Sequence, residues 1–461
     1  MAVVGLNWGD EGKGRMVDNL AAGADYVVRY HGGGNAGHTI HTDRGMFKLH
    51  SLPSSVLRPG VTGVLGPGMT VDVEGLLQEI DALAGQGVDT GRLLVSDQAS
   101  VCFPFHRDLD ALEEERLSHG KYGSTRKGIS PAYGDRVMKK TLLVRELFDK
   151  ESLTERLAPV VDWANERLIR VYGADPLVPA EVERWAAGVR DRLEPYVTDT
   201  SRLLAGALEA GATVLAEGQL GALRDLYFGI YPFTTSSNCL AGHAPVGIGV
   251  PWARVDRVVG VTKAFASCVG AGPFVTEYDE ERADRLRRQW GEYGSTTNRP
   301  RRLGAFDAVA TRYGARVQGA GEIALTNLDQ LTGTGELPVC TGYEQEDGLV
   351  TTEFTTSPAA LARMRPVHRT FAGWDEDISG IRRYDRLPAA ARAYVEGIAD
   401  LVGVPVRYVS VGSHRDALIE VPAGAGDAGA GAAAGRPASA DPAAGNTGST
   451  AGTGTAATEG K

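Results

Sequence analysis

The chain has 461 residues, a formal net charge of −10 and a composition that is 43% hydrophobic and 23% charged. An acidic chain without a long basic block argues against a nucleic-acid partner. No apolar run reaches the ~18 residues of a membrane span, and no targeting segment is recognisable. The cysteines, Cys102, Cys239, Cys268 and Cys340, lack metal-ligand spacing. We therefore expect a cytoplasmic protein that binds neither nucleic acid nor membranes.

Short apolar runs alternate with amphipathic helical patterns along the chain. Strands are predicted at 1–6, 25–31, 61–66, 92–96, 212–218, 255–265, 322–329 and 406–412. Helices are predicted at 73–87, 182–197, 198–211 and 388–403. This alternation predicts an α/β fold with a large, mostly parallel central sheet covered on both faces. Ligands of such sheets bind at the carboxyl ends of the strands, where most glycine-rich segments of this chain fall.

The last forty or so residues differ in composition from the rest. From Ala423 the chain is rich in Ala, Gly, Ser, Thr and Pro and has no aromatic or large aliphatic residue. Such a segment buries too little apolar surface to offset the entropy of ordering. We therefore predict one catalytic domain over 1–421 and a disordered tail over 422–461.

Removal of residues 423–461 should leave the melting temperature and the turnover unchanged, because a tail without apolar side chains contributes nothing to a core. Thermal unfolding of the truncated chain checks this expectation. A drop in melting temperature of more than about two degrees would show that the tail docks on the domain.

The first glycine-rich segment, NWGDEGKGR at 7–15, directly follows the first predicted strand. Its backbone amides could cradle phosphates, with Lys13 as an additional cation. It is not a standard P-loop, which has glycine where this chain has Asn7 and serine or threonine where it has Gly14. A surface loop is the alternative interpretation at this stage.

The second segment, RYHGGGNAGHT at 29–39, surrounds Asn35 and His38 with small residues. So bare a backbone is costly to fold and is often kept where a ligand approaches closely. A histidine titrates near neutral pH, so His38 could act as an acid or a cationic donor. A purely structural histidine is the alternative.

Taken together, these segments resemble the adenylosuccinate synthetase family. WGDEGKG is followed some twenty residues later by NAGHT. Further similar segments then come in the family's order: STRKGISPAY, YPFTTSSN, VGAGPF, STTNRPRR, TNLD and PVRYVSVG. The resemblance covers about residues 1–421 and implies an α/β fold related to the P-loop NTPases.

The resemblance implies a GTP-dependent ligase of AMP biosynthesis. Such an enzyme joins L-aspartate to carbon 6 of IMP through a 6-phosphoryl intermediate, giving adenylosuccinate, GDP and phosphate. Asp10 matches the base that removes the N1 proton, and His38 matches the group that stabilises the oxyanion. One Mg²⁺ ion would be bound by Asp10 and the backbone carbonyl of Gly37.

The family's other binding residues match positions spread along the chain. For GTP they are Gly12, Lys13, Gly14, Thr39, Asp329 and Gly412. For the nucleotide substrate they are Asn35, Thr125, Thr235, Gln219, Leu220 and Arg299, with Lys139 reaching over from the second subunit of a homodimer. For aspartate they are Val269, Thr296, Thr297 and Arg301.

Several positions depart from the family pattern. Leu220 stands where a glutamine faces the purine, with Gln219 one residue earlier, and Arg224 stands where an aliphatic residue is usual. We predict that Leu220 and Arg224 line the nucleobase side of the pocket. Lys139 replaces an arginine, Pro300 interrupts an arginine run, and Asn327 replaces a lysine that covers the guanine, which predicts weaker or less selective GTP binding.

Three functions remain open from the sequence. One is the housekeeping synthetase itself. Another is a paralogue that performs the same ligation on a modified or C-linked purine nucleotide in nucleoside-antibiotic biosynthesis. The third is a non-catalytic GTP-binding protein, although a mere binder has no use for Asp10 as a base.

Overall fold

A computed structural model describes residues 1–294 and 299–424 of the chain. Residues 425–461, most of the predicted tail, lie outside the described residues. The strands are β1 (Ala2–Gly5), β2 (Tyr26–Arg29), β3 (His38–Thr42), β4 (Gly45–Leu49), β5 (Thr62–Leu65), β6 (Thr70–Val71), β7 (Leu93–Ser96), β8 (Ser100–Val101), β9 (Val197–Thr198), β10 (Val214–Glu217), β11 (Val258–Lys263), β12 (Ala266–Cys268), β13 (Arg302–Gly304), β14 (Phe306–Asp307), β15 (Glu322–Thr326), β16 (Leu337–Glu344), β17 (Val350–Thr351), β18 (Arg365–Phe371), β19 (Val406–Ser410) and β20 (Leu418–Glu420).

The α-helices in the described part of the chain surround these strands. They are α1 (Lys13–Leu20), α2 (Val73–Gly85), α3 (Pro104–Arg116), α4 (Ile129–Val137), α5 (Leu153–Arg170), α6 (Pro179–Leu193), α7 (Thr200–Glu209), α8 (Ala244–Ile248), α9 (Glu280–Trp290), α10 (Ala308–Gln318), α11 (Pro358–Leu361) and α12 (Ala389–Val402). Among the described residues, none of these helices is long and apolar enough to cross a membrane.

Ten strands form the central sheet in the order β20-β19-β15-β11-β1-β10-β2-β5-β7-β9. Neighbours pair in parallel except at one edge, where β20 runs antiparallel to β19. All eight predicted strands lie in this sheet, so the predicted α/β fold with a mostly parallel sheet is confirmed. The edge strands β9 and β20 have two and three residues, too short for a periodic pattern to appear.

Side chains that alternate along β1 show how both faces of the sheet are covered. Val3 packs in one cluster with Met16 and Val17 of α1. Ala2 and Val4 belong to a different cluster, on the opposite face, which α7 and α8 complete. Since successive residues of a strand point to opposite faces, a strand that is apolar throughout must be buried on both.

Helix boundaries follow from caps that the apolar pattern does not reveal. Helix α2 starts after Asp72, whose carboxylate accepts a hydrogen bond from the amide of Gly75. Helix α7 starts after Asp199, which accepts from the amide of Arg202 in the same way. These caps satisfy amides that have no partner within the helix. They explain why α7 begins at Thr200 rather than at the predicted residue 198.

Candidate active site

Six neighbouring strands bring the conspicuous polar segments of the sequence to one edge of the sheet. Their order is β19, β15, β11, β1, β10 and β2. Asp10 follows the end of β1, Glu217 ends the adjacent β10, and His38 follows the loop after β2. The carboxyl ends of parallel strands meet at the same edge, so residues far apart in sequence become neighbours there.

Two large cavities open at this edge. The first cavity, of about 540 Å³, is lined by residues that include Asp10, Asn35, Thr125, Leu220, Thr235, Val269, Arg299 and Arg301. The second cavity, of about 770 Å³, is lined by residues that include Asp10, Gly12, Thr39, Arg301, Asp329 and Gly412. The residues that the family resemblance assigned to the nucleotide substrate and to GTP thus line, in the main, different cavities.

A smaller cavity of about 100 Å³, the junction, shares residues with both. Asp10 and Arg301 line all three cavities. His38, Gly37 and Lys13 also line the junction. A group transferred from a ligand in the second cavity to a ligand in the first would pass the side chains of Asp10 and His38.

Asp10 is held in an uncommon backbone conformation and in an ion pair. Its φ of 59° lies in the left-handed region, which costs most residues energy and is often kept at functional sites. Arg301 Nη2 lies 3.0 Å from its Oδ2. Burial acts to raise the pKa of Asp10, but the charges of Arg301, Lys263 and Lys13 outweigh it and hold the pKa below its ordinary value. Without substrate, Asp10 is a carboxylate.

His38 forms a buried pair with Glu217, which sequence reasoning missed. His38 Nδ1 lies 2.5 Å from Glu217 Oε1, and Ser54 donates to the same carboxylate through its hydroxyl at 2.6 Å and its amide at 2.9 Å. Burial lowers the pKa of His38, and Glu217 partly opposes that shift. Nε2 is buried and has no hydrogen-bond partner among the described residues. The hydrogen bond of Nδ1 to Glu217 therefore fixes the imidazole ring, and Nε2 can interact with a ligand.

Glycine at position 14 allows this histidine to approach the first helix. A Cβ atom at Gly14 would lie 2.6 Å from the Cβ of His38, closer than two such atoms approach. Helix α1 starts just before, after Gly12, whose φ is 92°. The N-terminus of α1 lies at the junction and second cavities. The first amides of a helix have no partner within the helix, as a phosphate-binding turn requires.

Lys13 is buried beside Glu11, a residue of the same glycine-rich segment to which the sequence analysis gave no role. The Lys13 ammonium pairs with one carboxylate oxygen of Glu11. The other oxygen accepts from the amides of Asn7 at 3.1 Å and Gly9 at 2.8 Å. Glu11 thus fixes the loop from within and keeps the Lys13 cation in the wall of the junction.

A second buried ion network supports Arg301. Arg301 Nη1 lies 2.9 Å from Glu292, and Glu292 is also paired with Lys263 at 2.6 Å. Burial opposes the charge of Arg301, but Asp10 and Glu292 raise its pKa above the ordinary value. Arg301 is therefore a firmly charged group between the cavities. The sequence motifs gave neither Glu292 nor Lys263 a catalytic or binding role.

Gln219 and Leu220 have different surroundings. Leu220, with φ at 56°, lines the first cavity and the junction. Gln219 is 1% exposed and turns away from both. The side-chain Nε2 of Gln219 donates to the backbone carbonyl of His31 at 2.7 Å, and Oε1 accepts a hydrogen bond from Arg29. Gln219 therefore does not turn inward to compensate for Leu220, and its predicted contact with the nucleotide does not fit its position.

Gln219→Ala should cost about 1–3 kcal/mol in the free energy of unfolding, because it removes a partner of the fully buried Arg29. Urea denaturation checks this value, with the exposed Gln345→Ala as the matched control. Unchanged stability in Gln219→Ala would contradict a structural role for this side chain.

The other residues that the family resemblance linked to substrate binding lie at different places in the structure. Lys139 is exposed beyond the end of α4 and lines none of the three cavities. Asp329 lies in the second cavity, where burial raises its pKa and Arg15 opposes the shift. Asn327 lines the same cavity. Thr296 and Thr297 lie outside the described residues.

The junction has donors that fit a magnesium ion. The carboxylate of Asp10 and the backbone carbonyl of Gly37 are hard oxygen ligands, and both residues line this small cavity. Mg²⁺ typically takes one or two protein carboxylates and completes its shell with waters and phosphate oxygens. The chemistry of the donor set therefore suits that ion in the presence of a nucleotide.

The parallel sheet has two joined cavities at its carboxyl edge, and a glycine turn leads there into a helix N-terminus. This arrangement is typical of α/β enzymes that bind nucleotides. Comparison with known proteins gives the family. The adenylosuccinate synthetase family model matches residues 2–419. The chain therefore belongs to the adenylosuccinate synthetase family and is a ligase of purine biosynthesis.

Individual relatives agree over almost their whole length. The adenylosuccinate synthetase of Acidothermus cellulolyticus is 42% identical, with 92% of this chain and 99% of the relative covered. Adenylosuccinate synthetase 2 of Pseudoalteromonas translucida is 45% identical, with 91% and 99% covered. The structure of the fully ligated synthetase from Plasmodium falciparum superposes with a TM-score of 0.86 at 32% identity, with 91% and 99% covered.

Proposed function

We propose that this chain is a GTP-dependent adenylosuccinate synthetase, which joins L-aspartate to carbon 6 of IMP through a 6-phosphoryl intermediate. One observation carries the proposal. The carboxylate of Asp10 and the imidazole of His38 share the junction between two cavities, each large enough for a nucleotide. Phosphoryl transfer between two bound nucleotides needs acid–base groups at that place.

The first step phosphorylates the purine oxygen. Asp10 removes the N1 proton of IMP, and the electron pair moves to the 6-oxygen, which attacks the γ-phosphorus of GTP and displaces GDP. The low pKa of Asp10 makes it a weak base while Arg301 is paired with it. A second anion on Arg301 would reduce that pairing and make Asp10 more basic.

His38 stabilises the charge that develops during the transfer. Its Nδ1–H is directed to Glu217, so the ring cannot rotate and Nε2 is the nitrogen left for a ligand. Bound phosphates and the Glu217 carboxylate together favour the imidazolium form, which donates from Nε2. Mg²⁺, held by Asp10 and the Gly37 carbonyl, would supply further positive charge to the phosphates.

The second cavity would hold GTP. The amides around Gly12 and Gly14, Lys13 and Thr39 bind its phosphates, and Asp329 accepts from N1 and the 2-amino group of guanine beside Gly412. In the first cavity, Asn35, Thr125 and Thr235 hold the 5′-phosphate of IMP, with Arg299 near the ribose.

Aspartate reacts in the second step. Its amine attacks carbon 6 and phosphate leaves with the former purine oxygen. The Arg301 guanidinium can bind a carboxylate of aspartate through two parallel N–H groups. The family resemblance also assigns Val269, Thr296 and Thr297 to aspartate. Arg301 therefore binds the substrate next to the base that the first step uses.

The enzyme is proposed to act in the cytoplasm as a homodimer, with Lys139 reaching the partner's nucleotide pocket. Lys139 lies beyond the cavities of its own subunit, next to Val137 and Met138, which are 79% and 52% exposed. Mixing Lys139→Ala with Arg301→Ala tests this arrangement. Recovery of activity on mixing supports a shared site, and no recovery in a mixed dimer contradicts it.

An omission assay tests the proposed reaction. Phosphate release is measured with IMP, aspartate and GTP, and each is left out in turn. The account predicts that release requires all three and yields adenylosuccinate. Release that continues without IMP or aspartate, or failure of the complete mixture, would contradict it.

A further inference from the structure

Arg224 is a charged residue in the wall of the first cavity that the proposed mechanism does not use. Its side chain is nearly buried, at 8% exposed, which is uncommon for arginine. It ends a short 3₁₀ turn, Ala222–Arg224, that follows β10. No carboxylate pairs with it among the described ion pairs, so another kind of partner must stabilise it.

Both terminal nitrogens of the Arg224 guanidinium donate hydrogen bonds to acceptors within the protein. Nη1 donates to the carbonyls of Phe233 at 2.5 Å and Ala271 at 3.3 Å. Nη2 donates to the carbonyl of Val269 at 2.8 Å and to Sγ of Cys268 at 3.0 Å. The terminal N–H groups are therefore engaged within the protein and are not presented to a ligand. Arg224 lines the cavity, as expected, but is not a hydrogen-bond donor to a nucleobase.

These acceptors belong to two different cavity segments. Phe233 lies in 231–238, the segment of Thr235, and the carbonyl of Arg224 itself accepts from the Thr235 amide at 2.9 Å. The other acceptors lie in 268–272. That segment contains Gly270 and Gly272 at φ values of 95° and 105°. Glycine can adopt many backbone conformations, so a segment with two glycines is flexible unless other residues hold it. The hydrogen bonds from Arg224 restrict the conformations of this segment.

We propose that Arg224 is a positioning residue that couples the nucleotide-phosphate segment to the aspartate segment. The inference rests on the proposed function, which places the 5′-phosphate at Thr235 and aspartate at Val269. Because the Arg224 side chain bonds both 231–238 and 268–272, it sets the distance between these segments. A ligand bound at one segment therefore fixes the conformation of the other. Bound IMP should accordingly lower the KM for aspartate, and Arg224 should carry that effect.

Arg224→Met and Arg224→Lys test the proposal. Methionine keeps an unbranched side chain but has no N–H group, whereas lysine keeps the charge and some donors. We expect Arg224→Met to raise the KM for aspartate and for IMP by about tenfold, the effect of losing one or two net hydrogen bonds, with the KM for GTP unchanged. Arg224→Lys should recover part of this loss.

Arg257→Met is the matched control for stability. Arg257 bonds Glu322 at 2.7 Å and Tyr408 at 2.7 Å at the amino edge of the sheet, away from the cavities. It should lower the melting temperature without changing any KM. Unchanged KM values in Arg224→Met, or equal loss for all three substrates, would overturn the proposal.

If Arg224→Met does not fold, Arg224→Lys decides the question. A raised KM for aspartate with an unchanged KM for GTP supports coupling, and wild-type values overturn it. Failure of the wild-type enzyme to join IMP and aspartate would instead refute the proposed function, and the wild-type assay reveals that separately.

Discussion

Asp10→Asn is expected to lower turnover by about 10²–10⁴-fold, the usual contribution of a general base. The amide has the size of the carboxylate but cannot take the N1 proton. It also tolerates the left-handed backbone that Asp10 adopts, so the fold should persist. Steady-state phosphate release together with thermal unfolding measures both effects.

The exposed Asp108→Asn provides the control for loss of one negative charge. It should behave as wild type. Turnover of Asp10→Asn within about tenfold of wild type would assign the base to another residue.

His38→Asn should lower turnover by about 10²–10³-fold and change the Michaelis constants little, because an oxyanion donor acts mainly in the transition state. Rapid-quench measurement of GDP formation separates this step from binding. His368→Asn, at an exposed position of β18, serves as the control. A variant that raises only the Michaelis constants would reassign His38 to ground-state binding.

Glu217→Gln extends the same prediction to the partner of His38. Glutamine can still accept from Nδ1 but removes the negative charge that favours the imidazolium. Turnover should fall less than in His38→Asn. The alkaline limb of the pH–rate profile, where the imidazolium is lost, should move to lower pH, because Glu217 raises the pKa of His38 and glutamine does not. An unmoved profile would leave Glu217 with a purely structural role.

The sheet could be predicted because its strands are short apolar runs ended by glycine-rich turns. The glycine-rich loops after β1 and β2 therefore indicate Asp10, Asn35 and His38 from the sequence alone. The starts of helices were predicted less accurately. Helix α6, for example, begins at Pro179 rather than at the predicted residue 182. Terminal turns depend on caps and solvent rather than on an apolar stripe.

The supporting carboxylates were not predicted from the sequence. Glu217 ends an apolar strand and contacts a histidine 179 positions away, and Glu292 joins Lys263 and Arg301 from separate elements. Only the pairing of strands brings such residues together. A charged residue at the end of an otherwise apolar strand, as in ATVLAEG, is the signal that could have indicated Glu217.

Gln219 shows a different limit of sequence reasoning. Its position beside Leu220 indicated a pocket residue, but a positive φ at Leu220 directs neighbouring side chains to different surroundings. The buried Arg29 then takes the Gln219 side chain as a partner. Adjacent residues in a tight turn need not face the same cavity.

The most direct test of the account follows the 6-oxygen of IMP. IMP labelled there with oxygen-18 is converted with aspartate and GTP, and the released phosphate is analysed by mass spectrometry. Transfer through a 6-phosphoryl intermediate at the junction of the two cavities predicts that the phosphate carries the label. Unlabelled phosphate formed together with adenylosuccinate would contradict the account, since the purine oxygen would then have left without being phosphorylated.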